Sequence, residues 1–141
     1  MSTSRQELGK WGEDQAAQFL EESGYVILAR NVRTPYGEID LVAHHNFGEE
    51  EPSKFANLFE PVIVFVEVKT RRTTAYGYPE DAITKRKKSH MLESAQSYMG
   101  EHPHLDGAWR LDVIAIQCTD TQHTPTLTHF ENVVNFLEPG D

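Results

Sequence analysis

The sequence predicts an α/β fold in which helices flank a mixed central sheet, in the element order αβββαββ. Two segments carry apolar residues at helical spacing, and five have the β-branched or aromatic composition of strands. Turn residues, mostly glycine and proline, separate several of these segments. This order implies a mixed sheet with a helix on each side or at one end.

The N-terminal half is predicted to form a helix followed by a β-hairpin. Ser4 and Glu7 have the spacing of a capping box, which is typical of a helix start, and Gly24 supplies the stop. Residues 25–32 and about 38–44 are predicted strands, and a Thr-Pro-Tyr-Gly turn separates them.

The remaining helix and strands are predicted to follow a polar loop. Residues 46–61 are acidic and broken by Pro52, so they are predicted to form a surface loop. Residues 62–70 carry the strongest strand signal of the chain, because β-branched residues dominate them. A helix at about 80–100 and strands at 109–118 and about 127–130 complete the order.

Length and composition favour one soluble, cytoplasmic domain over residues 1–141, with an acidic insert at about 46–60. A chain of 141 residues suits a single core. Its longest apolar run has five residues, far fewer than the roughly 20 needed to span a bilayer. The N-terminus has no apolar signal-like segment, and the single cysteine, Cys118, fits a reducing compartment.

Charge is distributed unevenly along the chain. The net charge is −9, which argues against a protein that coats nucleic acid through bulk electrostatics. However, seven of the 13 basic residues lie between Lys69 and Lys88, together with only two acids. A locally basic face can hold phosphates on an acidic body, because screening limits distant charges to about 8 Å at physiological salt.

The third predicted strand places charged residues where burial alone would not favour them. Because side chains alternate along a strand, Phe65, Glu67 and Lys69 share one face, and Val64, Val66 and Val68 share the other. On the preceding strand, the same alternation puts Ile39 and Leu41 on one face and Glu38, Asp40 and Val42 on the other. If these two strands pair, Asp40 lies beside Glu67.

Two adjacent carboxylates repel each other unless a cation lies between them. Mg²⁺ suits such a pair, because it takes oxygen ligands from one or two carboxylates, water and phosphate. A bound Mg²⁺ polarises a phosphate and activates water. Lys69 would orient that water or stabilise developing charge, and Glu13 on the first helix would add a third carboxylate.

These residues resemble a known signature. Asp40, followed after a loop by Glu67-Val68-Lys69, is similar to the D-(x)n-E-x-K motif of the PD-(D/E)XK nucleases. The wider pattern resembles the YraN-like family of small bacterial proteins, thought to be related to archaeal Holliday-junction resolvases. The matching residues extend to about residue 116 and include Gly12-Glu13, Asn31, Arg33, Gly37-Glu38-Ile39-Asp40-Leu41, Phe65-Val66-Glu67-Val68-Lys69, Arg71, Lys87 and Arg110 with Asp112.

The resemblance implies a restriction-endonuclease-like core with Mg²⁺, or Mn²⁺, held by Asp40 and Glu67. It also implies Lys69 beside the attacking water, Glu13 as the helix carboxylate, and cleavage of a DNA-like substrate, with branched DNA the family guess. Related resolvases work as dimers, so a homodimer is a further expectation. The acidic insert would repel DNA if it lay over the site.

Several alternatives stay open at this point. Taken alone, Glu67 and Lys69 are more typical of a non-catalytic ion pair, and only Asp40 and the surrounding pattern favour a metal site. The fold also hosts inactive members, so a module that binds nucleic acid or a protein partner stays an alternative. Glu38 is either a helper of the ligands or a carboxylate that bonds turn amides. Asp112 is expected to be structural and to pair with Arg110. The residues predicted to contact nucleic acid are Arg33, Arg71, Arg72 and Lys87.

Overall fold

The computed structural model describes residues 5–45, 62–72, 84–105, 107–118 and 124–133. Its helices are α1 (Arg5–Glu22) and α2 (Lys85–Glu101), with a short 3-10 helix at Pro103–Leu105. Its strands are β1 (Tyr25–Thr34), β2 (Gly37–His45), β3 (Val62–Arg71), β4 (Trp109–Gln117) and β5 (Thr126–Phe130). This α/β architecture and the order αβββαββ confirm the predicted fold class.

One mixed sheet contains all five of these strands, in the spatial order β1-β2-β3-β4-β5. The β1–β2, β2–β3 and β4–β5 pairs are antiparallel. Only β3 and β4 are parallel, and α2 provides the crossover between them. The predicted Ser4 cap, the insert at 46–60 and the first residues of the predicted second helix lie outside the described residues.

A helix packs on each face of the sheet. The α1 side contains Leu20 with Leu41, Val64 and Val66, and also Ile114 and Ile116. The α2 side contains Ala95 and Tyr98, which pack with Ile39, Val42, Ile63, Phe65, Leu111 and Val113. The alternation predicted for β3 is therefore confirmed. Within the described residues, neither helix is both long and apolar enough to cross a membrane.

The predicted alternation along β2 is wrong. Ile39 packs on the α2 side together with Val42, whereas Leu41 packs on the α1 side. Residues three apart thus share a face, which a regular strand does not allow. The neighbouring strand has the same shift, because Ala29 and Val32 both pack on the α2 side. Both strands therefore depart from regular pleating near Asp40.

A close contact between α1 and β3 brings the first helix over this irregular region. Gly12 is buried, and a Cβ atom added there would overlap the hydroxyl of Thr70 near the end of β3. Only glycine allows the helix backbone to approach the strand so closely. Because Glu13 is the next residue, this contact brings a helix carboxylate to the part of the sheet where the irregular strand segments lie.

Candidate functional site

Asp40 lies where β2 and β3 stop pairing through their backbones. The ladder between the two strands runs from His45 to Leu41, and its last pair is Leu41 with Val66. Beyond that pair, the Asp40 carboxylate accepts a hydrogen bond from the backbone N–H of Val68 at 2.8 Å. A side chain thus takes the place of a ladder bond, which lets the strands separate while the Val68 N–H keeps a partner.

The structure brings Asp40 close to Glu67, as the strand pairing predicted. Continuing the register by one residue sets these two residues opposite each other, and both line the same cavity. Burial, and then the nearby charge of Glu67, raise the pKa of Asp40 to about 7, although the Val68 hydrogen bond opposes this shift. At neutral pH the ionised form of Asp40 therefore lacks sufficient compensation from the protein.

Two further carboxylates converge on Asp40. One oxygen from each of Glu13, Glu38 and Asp40 lies within 4.8 Å of the other two. Because oxygens around one Mg²⁺ are roughly 3.0 Å apart when adjacent and roughly 4.2 Å apart when opposite, the three carboxylates would have to move closer together to bind one ion. As oxygen ligands, the residues present fit a divalent cation, and Glu38, whose role was open, belongs to this cluster.

Asn31 supports the cluster from β1. Its φ of 53° lies in the left-handed region, which asparagine tolerates better than most residues that carry a side chain. It lies between the Arg30–Leu41 and Val32–Ile39 pairs, so the β1–β2 register sets it opposite Asp40. Burial raises the pKa of Glu13, and a hydrogen bond from the Asn31 side chain opposes that shift. Asn31 thus links the strand irregularity to the Glu13 carboxylate.

Glu67 is held differently from Asp40, because two lysines converge on one of its oxygens. Its Oε1 lies 2.7 Å from Lys87 Nζ and 3.5 Å from Lys69 Nζ. Lys69 comes from the same strand, and Lys87 from the first turn of α2. That turn is fixed by Thr84, whose side chain accepts a hydrogen bond from the Lys87 backbone N–H at 3.1 Å.

The two lysines differ in how firmly they hold their protons. Burial, and then contact with Lys87, lower the pKa of Lys69. Burial also lowers that of Lys87, but its contacts with Glu67 and Lys69 leave its pKa raised. Of the pair, Lys69 is therefore the group that releases a proton more readily.

The model of "Uncharacterised protein family UPF0102" matches residues 12–116. A UPF0102 protein of Syntrophotalea carbinolica is 42% identical over 118 residues, which are 83% of this chain and 84% of the relative. Another, from Dehalococcoides mccartyi, is 35% identical over 134 residues, covering 95% of this chain and 98% of the relative. The chain belongs to the UPF0102 family.

Membership of UPF0102 confirms the resemblance to the YraN-like family. The match over residues 12–116 begins next to Glu13 and includes β1 to β4 and α2, so it spans every residue of the acidic cluster and both lysines. A third relative, from Herpetosiphon aurantiacus, is 33% identical over 138 residues, which are 94% of this chain and 98% of the relative. The names of these relatives state no activity.

The four residues predicted to contact nucleic acid lie in different places in this UPF0102 chain. Lys87 lies in the site itself, as the partner of Glu67. Arg71 and Arg72 follow Lys69 at the end of β3, at the same end of the sheet as the site. Arg33 is exposed on β1 and pairs in register with Glu38. Contact of these four with nucleic acid stays a prediction, as do the catalytic roles of Asp40, Glu67, Lys69 and Glu13.

Two features of the site have no clear signal in the sequence. The contact between Lys87 and Glu67 joins residues 20 positions apart, and strand alternation says nothing about it. The left-handed backbone of Asn31 has only a weak signal, an asparagine inside a strand, where asparagine is depleted. The expected pairing of Asp112 with Arg110 is present, with Nε 3.0 Å from Oδ1.

Proposed function

We propose that this UPF0102 protein is a metal-dependent endonuclease that hydrolyses phosphodiester bonds in nucleic acid, with DNA as the preferred substrate. The observation that carries the proposal is the state of Asp40. It is a half-buried carboxylate with one hydrogen-bond donor, three acidic neighbours and a pKa raised to about 7. A perturbed carboxylate in an open cavity, beside two lysines, is typical of a functional site.

Mg²⁺ or Mn²⁺ at this cluster would polarise a phosphate and activate a water molecule. Asp40, Glu13 and Glu38 would hold the ion, with Glu67 as a further ligand. Lys69, whose pKa is lowered, is suited to orient the attacking water and exchange a proton with it. Lys87 keeps its charge and is suited to bind a phosphate oxygen.

A second candidate function is a nucleic-acid-binding module without catalysis. One observation favours it: Lys87 and Lys69 already neutralise Glu67 by ion pairing. If that arrangement persists in solution with metal present, Glu67 contributes nothing to ion binding. The cavity and the basic residues would then hold a phosphate backbone through salt-dependent contacts alone.

Cleavage of an oligonucleotide panel tests the first function. The panel contains single-stranded, blunt duplex, flap and four-way-junction DNA, each incubated with Mg²⁺, Mn²⁺ or EDTA. We expect cleavage that requires metal and that falls by at least about 100-fold in Asp40→Asn. Asp14→Asn is the matched control, because Asp14 lies on α1 next to Glu13 but pairs at the surface with Arg30.

The outcomes separate the two functions. Cleavage by the wild type and by Asp14→Asn, but not by Asp40→Asn, supports the nuclease. Binding of DNA that survives Asp40→Asn, with no cleavage of any substrate under either metal, supports the binding module. Equal cleavage by wild type and Asp40→Asn would reject this site as the catalytic centre.

A further inference from the structure

A cavity beside the acidic cluster has a size and lining that the chemistry of hydrolysis does not explain. Its volume is about 440 Å³, and it lies between the turn of the β1–β2 hairpin and the first half of α2. Small-molecule sites occupy roughly 300–1,000 Å³. Asp40 and Glu67 both line it, so whatever enters the cavity lies directly beside the proposed reaction centre.

Hydrogen bonds fix the two walls of the cavity relative to each other. The Thr34 hydroxyl donates to the Gly37 carbonyl at 2.7 Å and accepts from the Tyr36 backbone N–H at 3.1 Å. It also hydrogen-bonds the hydroxyl of Ser94 on α2 at 3.0 Å, and Ser94 is buried. This bond joins residues 60 positions apart. The hairpin turn and the helix are therefore tied together at the wall of the cavity.

The lining combines an aromatic ring, two cations and an apolar surface with the carboxylates of Glu38, Asp40 and Glu67. Tyr36, on the hairpin turn, is 49% exposed, and it lines the cavity. Arg86, Lys87 and His90 line the cavity from α2, together with Met91. An exposed ring opposite cations is suited to a flat aromatic group that carries negative charge close by. A nucleotide within a strand has this chemistry, because its base is joined to phosphates on both sides.

We propose that the cavity receives one unstacked nucleotide next to the phosphate that lies at Asp40 and Glu67. The inference rests on the proposed function for its choice of nucleic acid as ligand. A base within a continuous duplex must leave its stack to enter such a cavity, and this is easiest where the base is already unpaired. The favoured substrates are therefore flaps, bulges and single-strand junctions, and not uninterrupted duplexes.

Binding measurements in the absence of cleavage test this inference. Fluorescence anisotropy compares a flap with a blunt duplex of equal length, at one salt concentration, in the Asp40→Asn background. We expect Tyr36→Ala to weaken flap binding roughly tenfold or more through lost base stacking, and duplex binding less than about twofold. Tyr36→Phe, which keeps the ring, should retain flap binding. Val26→Ala is the matched control, since Val26 is 57% exposed and does not line the cavity.

The outcomes distinguish this inference from the proposed function. Flap preference that depends on Tyr36, without cleavage by the wild type under any metal, supports the nucleotide site and rejects the nuclease. Cleavage of flap and duplex at equal rates, with Tyr36→Ala unchanged in binding, rejects the nucleotide site and leaves the nuclease standing. Equal loss of flap and duplex affinity in Tyr36→Ala also rejects the nucleotide site, because Tyr36 then does not distinguish an unpaired base from a paired one.

Discussion

Asp40 and Asp112 lie on β2 and β4, the strands on either side of β3, and the protein compensates their charges very differently. Asp112 is 0% exposed. It contacts Arg110, accepts the Asn132 backbone N–H at 2.9 Å, and lies 2.7 Å from His129 Nε2. Burial alone would raise the pKa of Asp112, but these bonds leave that pKa lowered.

Asp40 accepts one backbone hydrogen bond and forms no salt bridge with a basic side chain of the described residues, although it interacts electrostatically with Lys87, while Glu67, Glu13 and Glu38 all raise its pKa. The same sheet thus contains a fully buried carboxylate whose hydrogen bonds and charge are satisfied, and a half-buried carboxylate whose charge is not. Buried charges are normally paired or bound to metal. Asp112 therefore has a structural role, whereas Asp40 has the properties of a residue whose charge must be balanced by a cation from outside the protein.

Isosteric removal of each charge should therefore change stability in opposite directions, and Asp112 should have the larger effect. Asp112→Asn leaves Arg110 and His129 without their buried anion. We expect a loss of about 3–5 kcal/mol in the free energy of unfolding, measured with urea at pH 8 in EDTA. Asp14→Asn, which removes an exposed partner of Arg30, should cost less than about 1 kcal/mol. An Asp112→Asn protein as stable as wild type would show that the Asp112 charge does not stabilise the fold, and the contrast with Asp40 would be wrong.

Asp40→Asn should stabilise the metal-free protein at pH 8, by on the order of 1–3 kcal/mol. The folded protein raises the pKa of Asp40 to about 7, so between about pH 4 and pH 7 it binds more protons there than the unfolded chain. Stability from this group is complete below the unfolded pKa and is lost as the pH rises through about 7.

Urea titrations at several pH values check this sign. The advantage of Asp40→Asn over wild type should be near zero at pH 4, should grow towards pH 7 and should level off above it. The asparagine oxygen can still accept the Val68 N–H, so the comparison isolates the charge. An advantage that is independent of pH, or a loss of stability at pH 8, would show that the Asp40 charge is compensated after all.

The sequence predicted the sheet well because its strongest signals are local. Residues 62–70 are β-branched and apolar, and the observed β3 differs from that range by one residue. The order of helices and strands then follows from the turns between them. Asp40 beside Glu67 was also predictable, since it requires only that two neighbouring strands pair in register.

The parts that could not be predicted depend on departures from regular geometry or on contacts between distant elements. A two-residue period put Ile39 and Leu41 on one face, and the irregularity at Asn31 and Asp40 separates them. That irregularity arises where Asn31, which has a left-handed backbone conformation, lies opposite Asp40 on the neighbouring strand. The Asp40 carboxylate there replaces a backbone hydrogen bond between β2 and β3. Such a combination has no periodic signature in the sequence.

Asn31 provides the smallest and most discriminating test of the contrast between the two carboxylates. Its backbone needs a positive φ, and its amide contacts Glu13, so the two roles can be separated by substitution. Asn31→Gly keeps the backbone conformation available and removes the amide, whereas Asn31→Ala disturbs both. We expect Asn31→Gly to retain wild-type stability within a few tenths of a kcal/mol and Asn31→Ala to lose about 1 kcal/mol.

Mn²⁺ affinity, measured by calorimetry, should fall about tenfold in both Asn31 variants, because each leaves Glu13 without the side chain that orients it. A merely structural residue would give a different pattern, in which Asn31→Gly binds Mn²⁺ as the wild type does. In that case, Asn31 would serve only to bend β1, and the acidic cluster would form without help from its amide. Loss of Mn²⁺ affinity in Asn31→Gly, at unchanged stability, would instead show that the Asn31 amide orients Glu13. Arg110 orients Asp112 in the same way but also neutralises it, whereas Asn31 leaves the charge of its carboxylate for a metal ion.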